Sequence, residues 1–62
     1  NEDMILAMLT RRPCTVKQIA AAFGMHPNEA VKYLGKLLRR GAIHSEHVNG
    51  DLYYVFERGE AA

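Results

Sequence analysis

Cysteine is nearly absent. Among 62 residues only Cys14 carries a thiol, so no internal disulfide can form, and a reducing compartment is favoured. No apolar run approaches the roughly 18 residues that a membrane helix needs. No signal-peptide pattern, low-complexity tract or internal repeat is present either. The formal net charge is only +1, so bulk charge does not argue for nucleic acid, and any basic surface must be local. There is no glycine-rich phosphate loop. One thiol and three scattered histidines make no nucleophile–base set, and so small a core leaves little room for a substrate pocket. The expectation is a chain with no catalytic residues, no cofactor, no membrane contact and no small-molecule substrate. Its length allows one domain over residues 1–62, built on one small core. The first residue is Asn rather than Met, as in an excised or processed chain, with Met4 as a candidate natural start.

What is present is strongly ordered by local signals. Residues 3–11 place Ile5, Leu6 and Leu9 on one side of a helix, with Met4 and Met8 beside them. Asp3 is a candidate N-cap, and Pro13 ends the helix because the residue before a proline leaves the helical region. A second helix is expected over 15–23. Thr15 and Gln18 form a T-x-x-Q capping box, and Gly24 is a left-handed stop. A third is expected over 27–40. His26 is its N-cap, Pro27 its first residue and Glu29 its N3 residue, with Met25 and Ala30 placed as a hydrophobic staple. Gly41 ends it. Over residues 42–57 the period changes. Two extended segments flank Asn49-Gly50, the strongest short-range hairpin signal, because both turn positions need positive φ.

The run "TVKQIAAAFGMHPNEAVKYLGKLLRRGAI" is a capped helix, a glycine turn and a second capped helix, followed by Leu34, Leu37, Gly41 and Ile43 in an L-x-x-L-x-x-x-G-x-I pattern. "HVNGDLYYVF" follows as a hairpin. This order, from about residue 4 to 57, resembles the winged helix-turn-helix family, in particular small prokaryotic regulators of transcription. The resemblance implies an α+β, mostly α fold: three helices, a C-terminal hairpin wing and a short first strand near Cys14. It implies a cytoplasmic protein that binds double-stranded DNA, with the third helix in the major groove and the wing on the neighbouring backbone or minor groove.

The residues of the third helix bear on that expectation directly. With Leu34 as centre and ~100° per residue, Ala30, Val31, Leu37 and Leu38 fall on the buried side. Lys32 and Lys36 then point away, with Asn28, Glu29 and Arg39 beside them and Tyr33 and Arg40 on one flank. Lysine and arginine suit phosphates or guanine edges, and asparagine suits adenine. A tyrosine hydroxyl can reach a phosphate. On residue type alone such a face is more often merely solvated, and Arg39 and Arg40 also suit a helix C-terminus. The resemblance tips the choice to nucleic acid, with Asn28, Lys32, Tyr33 and Lys36 at the groove and Arg39 and Arg40 on phosphates. Gly35 costs ~1 kcal/mol against alanine inside a helix, which suggests close approach of another backbone, from DNA or the first helix.

The wing departs from the family. Its candidate contacts are His47, Asn49 and Gly50, and it carries no lysine or arginine. His44 and His47 are three apart on a strand and face opposite ways, so no metal site is expected. Cys14 reads as a small buried apolar residue, with a redox sensor as the alternative. In "LYYVF", Tyr54 and Phe56 are expected to pack inward, leaving Tyr53 and Val55 partly exposed. Together with Met4 and Met8 these define a second class of function: a protein-interaction module, in a homodimer or a larger parent protein. An RNA-binding module is the remaining alternative.

Overall fold

The computed structural model describes residues 1–59. Helices α1 (Glu2–Arg11), α2 (Val16–Phe23) and α3 (Pro27–Arg39) precede strands β1 (Ile43–Val48) and β2 (Asp51–Phe56). Each boundary has a local chemical cause. The cap of α1 is Asn1 rather than Asp3: its side chain accepts the Met4 N–H at 3.1 Å. That leaves Asp3 inside the first turn, where a negative charge complements the helix dipole. Thr15 and Gln18 complete the capping box of α2, and Gly24 closes that helix in the left-handed region at φ 61°. His26 caps α3, its Nδ1 accepting the Asn28 N–H at 3.0 Å.

The strands pair antiparallel, from Ile43 opposite Phe56 to Val48 opposite Asp51. Asn49 and Gly50 close the hairpin with φ 51° and 86°, the double positive φ of a type I′ turn. Cys14 adds a single-residue bridge to β2. Its N–H donates to the Tyr54 carbonyl at 3.2 Å and its carbonyl accepts from Tyr54 at 2.8 Å. The expected short first strand is this one residue.

The core gathers Ile5 and Leu9 of α1, Ile19 and Ala20 of α2, Ala30, Leu34 and Leu37 of α3, then Cys14, Ala42 and Ile43. Tyr54 and Phe56 pack against it as the strand pattern predicts. With the core this small, each of these large side chains matters: truncating a buried Leu or Ile to Ala costs about 2–5 kcal/mol, a large part of a small domain's stability. Cys14 is wholly buried. Burial pushes its thiol pKa up, against the opposing pull of Arg12, so little of it is the reactive thiolate, and it packs as the small hydrophobe expected of it.

The buried face of α3 differs from the one that spacing predicts. Ala30, Leu34 and Leu37 are buried, but Val31 is 52% exposed and Leu38 39% exposed. The helix is therefore rolled about 30° toward Tyr33 relative to a Leu34-centred face. The reason is tertiary. Tyr33 packs on the core from one flank, and among the described residues nothing comparable covers the Val31–Leu38 flank.

Candidate nucleic-acid interface

The roll of α3 sets what faces outward. Opposite the Ala30–Leu34–Leu37 side, Lys32 and Arg39 lie nearest the outward axis, Asn28 next, and Gly35 and Lys36 to either side. Asn28, Lys32, Lys36 and Arg39 are all exposed, and among the described residues none of the three cations has an ionic partner. These four sequence-predicted residues come together on one helix face.

Tyr33 and Arg40 do not join them. Tyr33 is half-buried against the core, and the Lys36 ammonium sits 5.9 Å from its ring centroid. That is within cation–π range, and it steadies the lysine stem. Arg40 turns to α1, where its guanidinium donates to Glu2 at 3.0 Å. The pair is partly exposed and contributes little stability, but it directs Arg40 away from the outward face. Glu2 and Arg40 are 38 positions apart, so residue spacing alone could not find the pair.

The cause of Gly35 is also local. A Cβ there would meet the Arg39 guanidinium at 3.3 Å and no foreign backbone. The glycine leaves room for Arg39 to fold back along its own helix. Among the described residues neither α1 nor any other element's backbone lies within 4 Å of that Cβ.

His47, Asn49 and Gly50 are exposed at the wing tip. On the opposite strand face lies a cluster that was not anticipated. His44 contacts Glu46 through Nε2 at 2.7 Å and Glu57 through Nδ1 at 2.9 Å. The hydrogen bond to Glu46 raises the His44 pKa most, partial desolvation opposes it, and the hydrogen bond to Glu57 adds to the rise. His44 and Glu46 were legible as neighbours on one strand face, two residues apart. Glu57 depended on the hairpin register. The wing is thus acidic, and a phosphate there would meet His47, Asn49 or backbone N–H groups.

The four residues proposed for partner contact border three different depressions. Met4 and Met8 line a cleft between α1 and α2, together with Ala22 and Phe23. Tyr53 lies in a groove with Thr15, Val16 and Asp51. Val55 borders a small depression with Leu9, Pro13 and Phe56. Among the described residues no group of three or more histidine, cysteine or acidic side chains could hold a metal, and no helix is long and apolar enough to cross a membrane.

Three helices, with α2 and α3 joined by a tight glycine turn, and a hairpin after α3 define the winged helix-turn-helix fold. Solved structures bear this out. Wild-type ZitR of Lactococcus lactis in complex with DNA superposes with a TM-score of 0.86 at 21% identity, over 95% of this chain and 42% of that one. A homodimeric winged helix-turn-helix DNA-binding domain of Mycobacterium bovis, Mb0332, a possible ArsR-family transcriptional regulator, superposes with a TM-score of 0.81. It is 28% identical over 92% of this chain and 54% of that one. A structure described as a possible transcriptional regulator for arsenical resistance gives a TM-score of 0.83 at 20% identity, over 95% of this chain and 62% of that one. The chain thus spans about two-fifths to three-fifths of the length of these structures. No protein-family model and no curated protein matches the sequence.

Proposed function

We propose that residues 1–62 are one DNA-binding domain acting in transcriptional regulation, with α3 in the major groove. One observation carries this reading: Asn28, Lys32, Lys36 and Arg39 share the exposed face of the helix that follows the glycine turn. Asn28 and Lys32 offer base-edge chemistry, while Lys36 and Arg39 offer phosphate contacts. Similarity to a ZitR–DNA complex supports it. The protein is a binding domain rather than an enzyme, and with that role goes a cytoplasmic location. Replacing Lys32→Glu together with Lys36→Glu should abolish binding to duplex DNA in fluorescence anisotropy. Both side chains are exposed, so stability should change by only about 0.5 kcal/mol. Unchanged affinity would remove α3 as the reader.

A homodimer belongs to the same reading. The outward face of α3 carries three cations, Lys32, Lys36 and Arg39, so one domain makes few phosphate contacts there, and a second copy would supply the missing affinity and specificity. Similarity to a homodimeric domain supports this. The exposed Met4 and the cleft beside it also keep the protein-interaction reading open in this form.

A further inference from the structure

The outward side of α1 is self-complementary. Ile5 and Leu9 face the core. Opposite them, Asp3, Ala7 and Arg11 lie four residues apart along one ridge, and all three are exposed. Asp3 is in the first turn and Arg11 in the last, so the ridge is acidic at one end, small in the middle and basic at the other. Among the described residues neither charge has an ionic partner. Beside the ridge, Met4 and Met8 with Ala22 and Phe23 line an open cleft of about 730 Å³, and Met4 is 54% exposed.

We propose that this face is the contact between two copies of the chain, with α1 packing antiparallel on its symmetry mate about a two-fold axis at Ala7. This rests on the homodimer named above and supplies its interface. An isologous contact requires a surface that matches itself when rotated. Rotation about Ala7 carries Asp3 of each copy onto Arg11 of the other, because each lies four residues from the centre. Two identical ion pairs result, one at each end. Ala7 and Arg11 of the ridge also border the Met4–Met8 cleft, so a partner helix crossing at Ala7 covers its edge. Alanine at the crossing lets the two backbones approach. A parallel arrangement would stack Asp3 on Asp3 and Arg11 on Arg11, and like charges facing each other are costly. A helix of ten residues is about 15 Å long. Two such faces bury less than the roughly 1,200–2,000 Å² of standard stable complexes, so the dimer is weak and concentration-dependent.

The test is sedimentation of the chain without DNA, at concentrations on the order of 100 µM, where a micromolar dimer is populated. Asp3→Arg leaves two basic ends, and Arg11→Asp leaves two acidic ends. Each single variant should self-associate at least about tenfold more weakly than the parent chain. An equimolar mixture of the two should recover the dimer, because every end of one then meets an opposite charge on the other. Thermal melts establish that each variant is folded. Should either fail to fold, Ala7→Cys gives a second route. A short bis-maleimide should link two copies of that variant rapidly and leave the parent chain unlinked, since Cys14 is buried. A parent chain that is monomeric at these concentrations overturns both the homodimer and this interface. A parent dimer indifferent to both charge reversals, or an Ala7→Cys chain that does not cross-link, overturns the interface alone. Neither outcome bears on α3 and DNA, which the lysine variants test separately.

Discussion

Gly35 concentrates the physics of α3 in one position. Glycine inside a helix loses backbone entropy, and alanine there is better by about 1 kcal/mol. Among the described residues a new Cβ would press on the far end of Arg39, a flexible group that can swing aside. Gly35→Ala should therefore raise stability by about 0.5–1 kcal/mol in urea denaturation. A loss of stability would mean that Arg39 is held more firmly than its exposure implies. The same variant measured against DNA asks whether a foreign backbone comes close at this point. His44 makes a second prediction at this scale. Its pKa is raised in the folded protein, chiefly by Glu46, so its contribution to stability is fully present below the unfolded value of about 6.5. It is lost as pH rises through the higher folded value. The histidine NMR titration should give His44 a midpoint above 6.5, and Glu46→Gln should bring it down. An unshifted midpoint would show that the two carboxylates do not hold the ring in solution.

The elements differ in how their ends are secured. Each helix begins at a side-chain cap, and α2 and α3 are followed by the left-handed Gly24 and Gly41, all of which act within four residues. The wing depends on its turn instead, since Asn49 and Gly50 must both hold positive φ. Gly50→Val places a β-branched residue where L residues are rarely found, so the hairpin should lose its order while the helices persist. Amide NMR resonances of residues 43–56 should move or broaden. A spectrum unchanged over this range would rule out the turn. At this scale the elements were legible early, because caps, stops and the Asn-Gly turn are local chemistry. The roll of α3 was not legible. Val31 and Leu38 have the spacing of buried residues, and only the seating of Tyr33 against the core shows that they are left partly outside.

For the whole molecule the question is strength of binding. With Arg40 tied to Glu2, the outward cations of α3 are Lys32, Lys36 and Arg39. About three phosphate contacts per domain give a log–log salt slope of about −3. A lone domain should bind near the ~10⁻⁴–10⁻⁶ M of non-specific complexes at physiological salt. Two domains joined through α1 should steepen the slope to about −5. A salt titration run above and below the self-association concentration would read both values. Nanomolar binding by a monomer would contradict this account, because it needs contacts that α3 and an acidic wing do not offer.

The sequence by itself determined the boundaries of α2, α3 and the hairpin turn, since the Thr15–Gln18 box, the His26 cap, Gly24, Gly41 and Asn49-Gly50 act through neighbours in the chain. It also determined the order of the elements, and with it the resemblance to the winged helix-turn-helix class. Only the tertiary structure decided which side of α3 is buried, that Arg40 serves Glu2 rather than the outward face, that His44 meets Glu57, and that Met4 and Met8 open onto Phe23 apart from Tyr53 and Val55. Each of these depends on how separate elements pack against one another, and helical or strand periodicity carries no information about that.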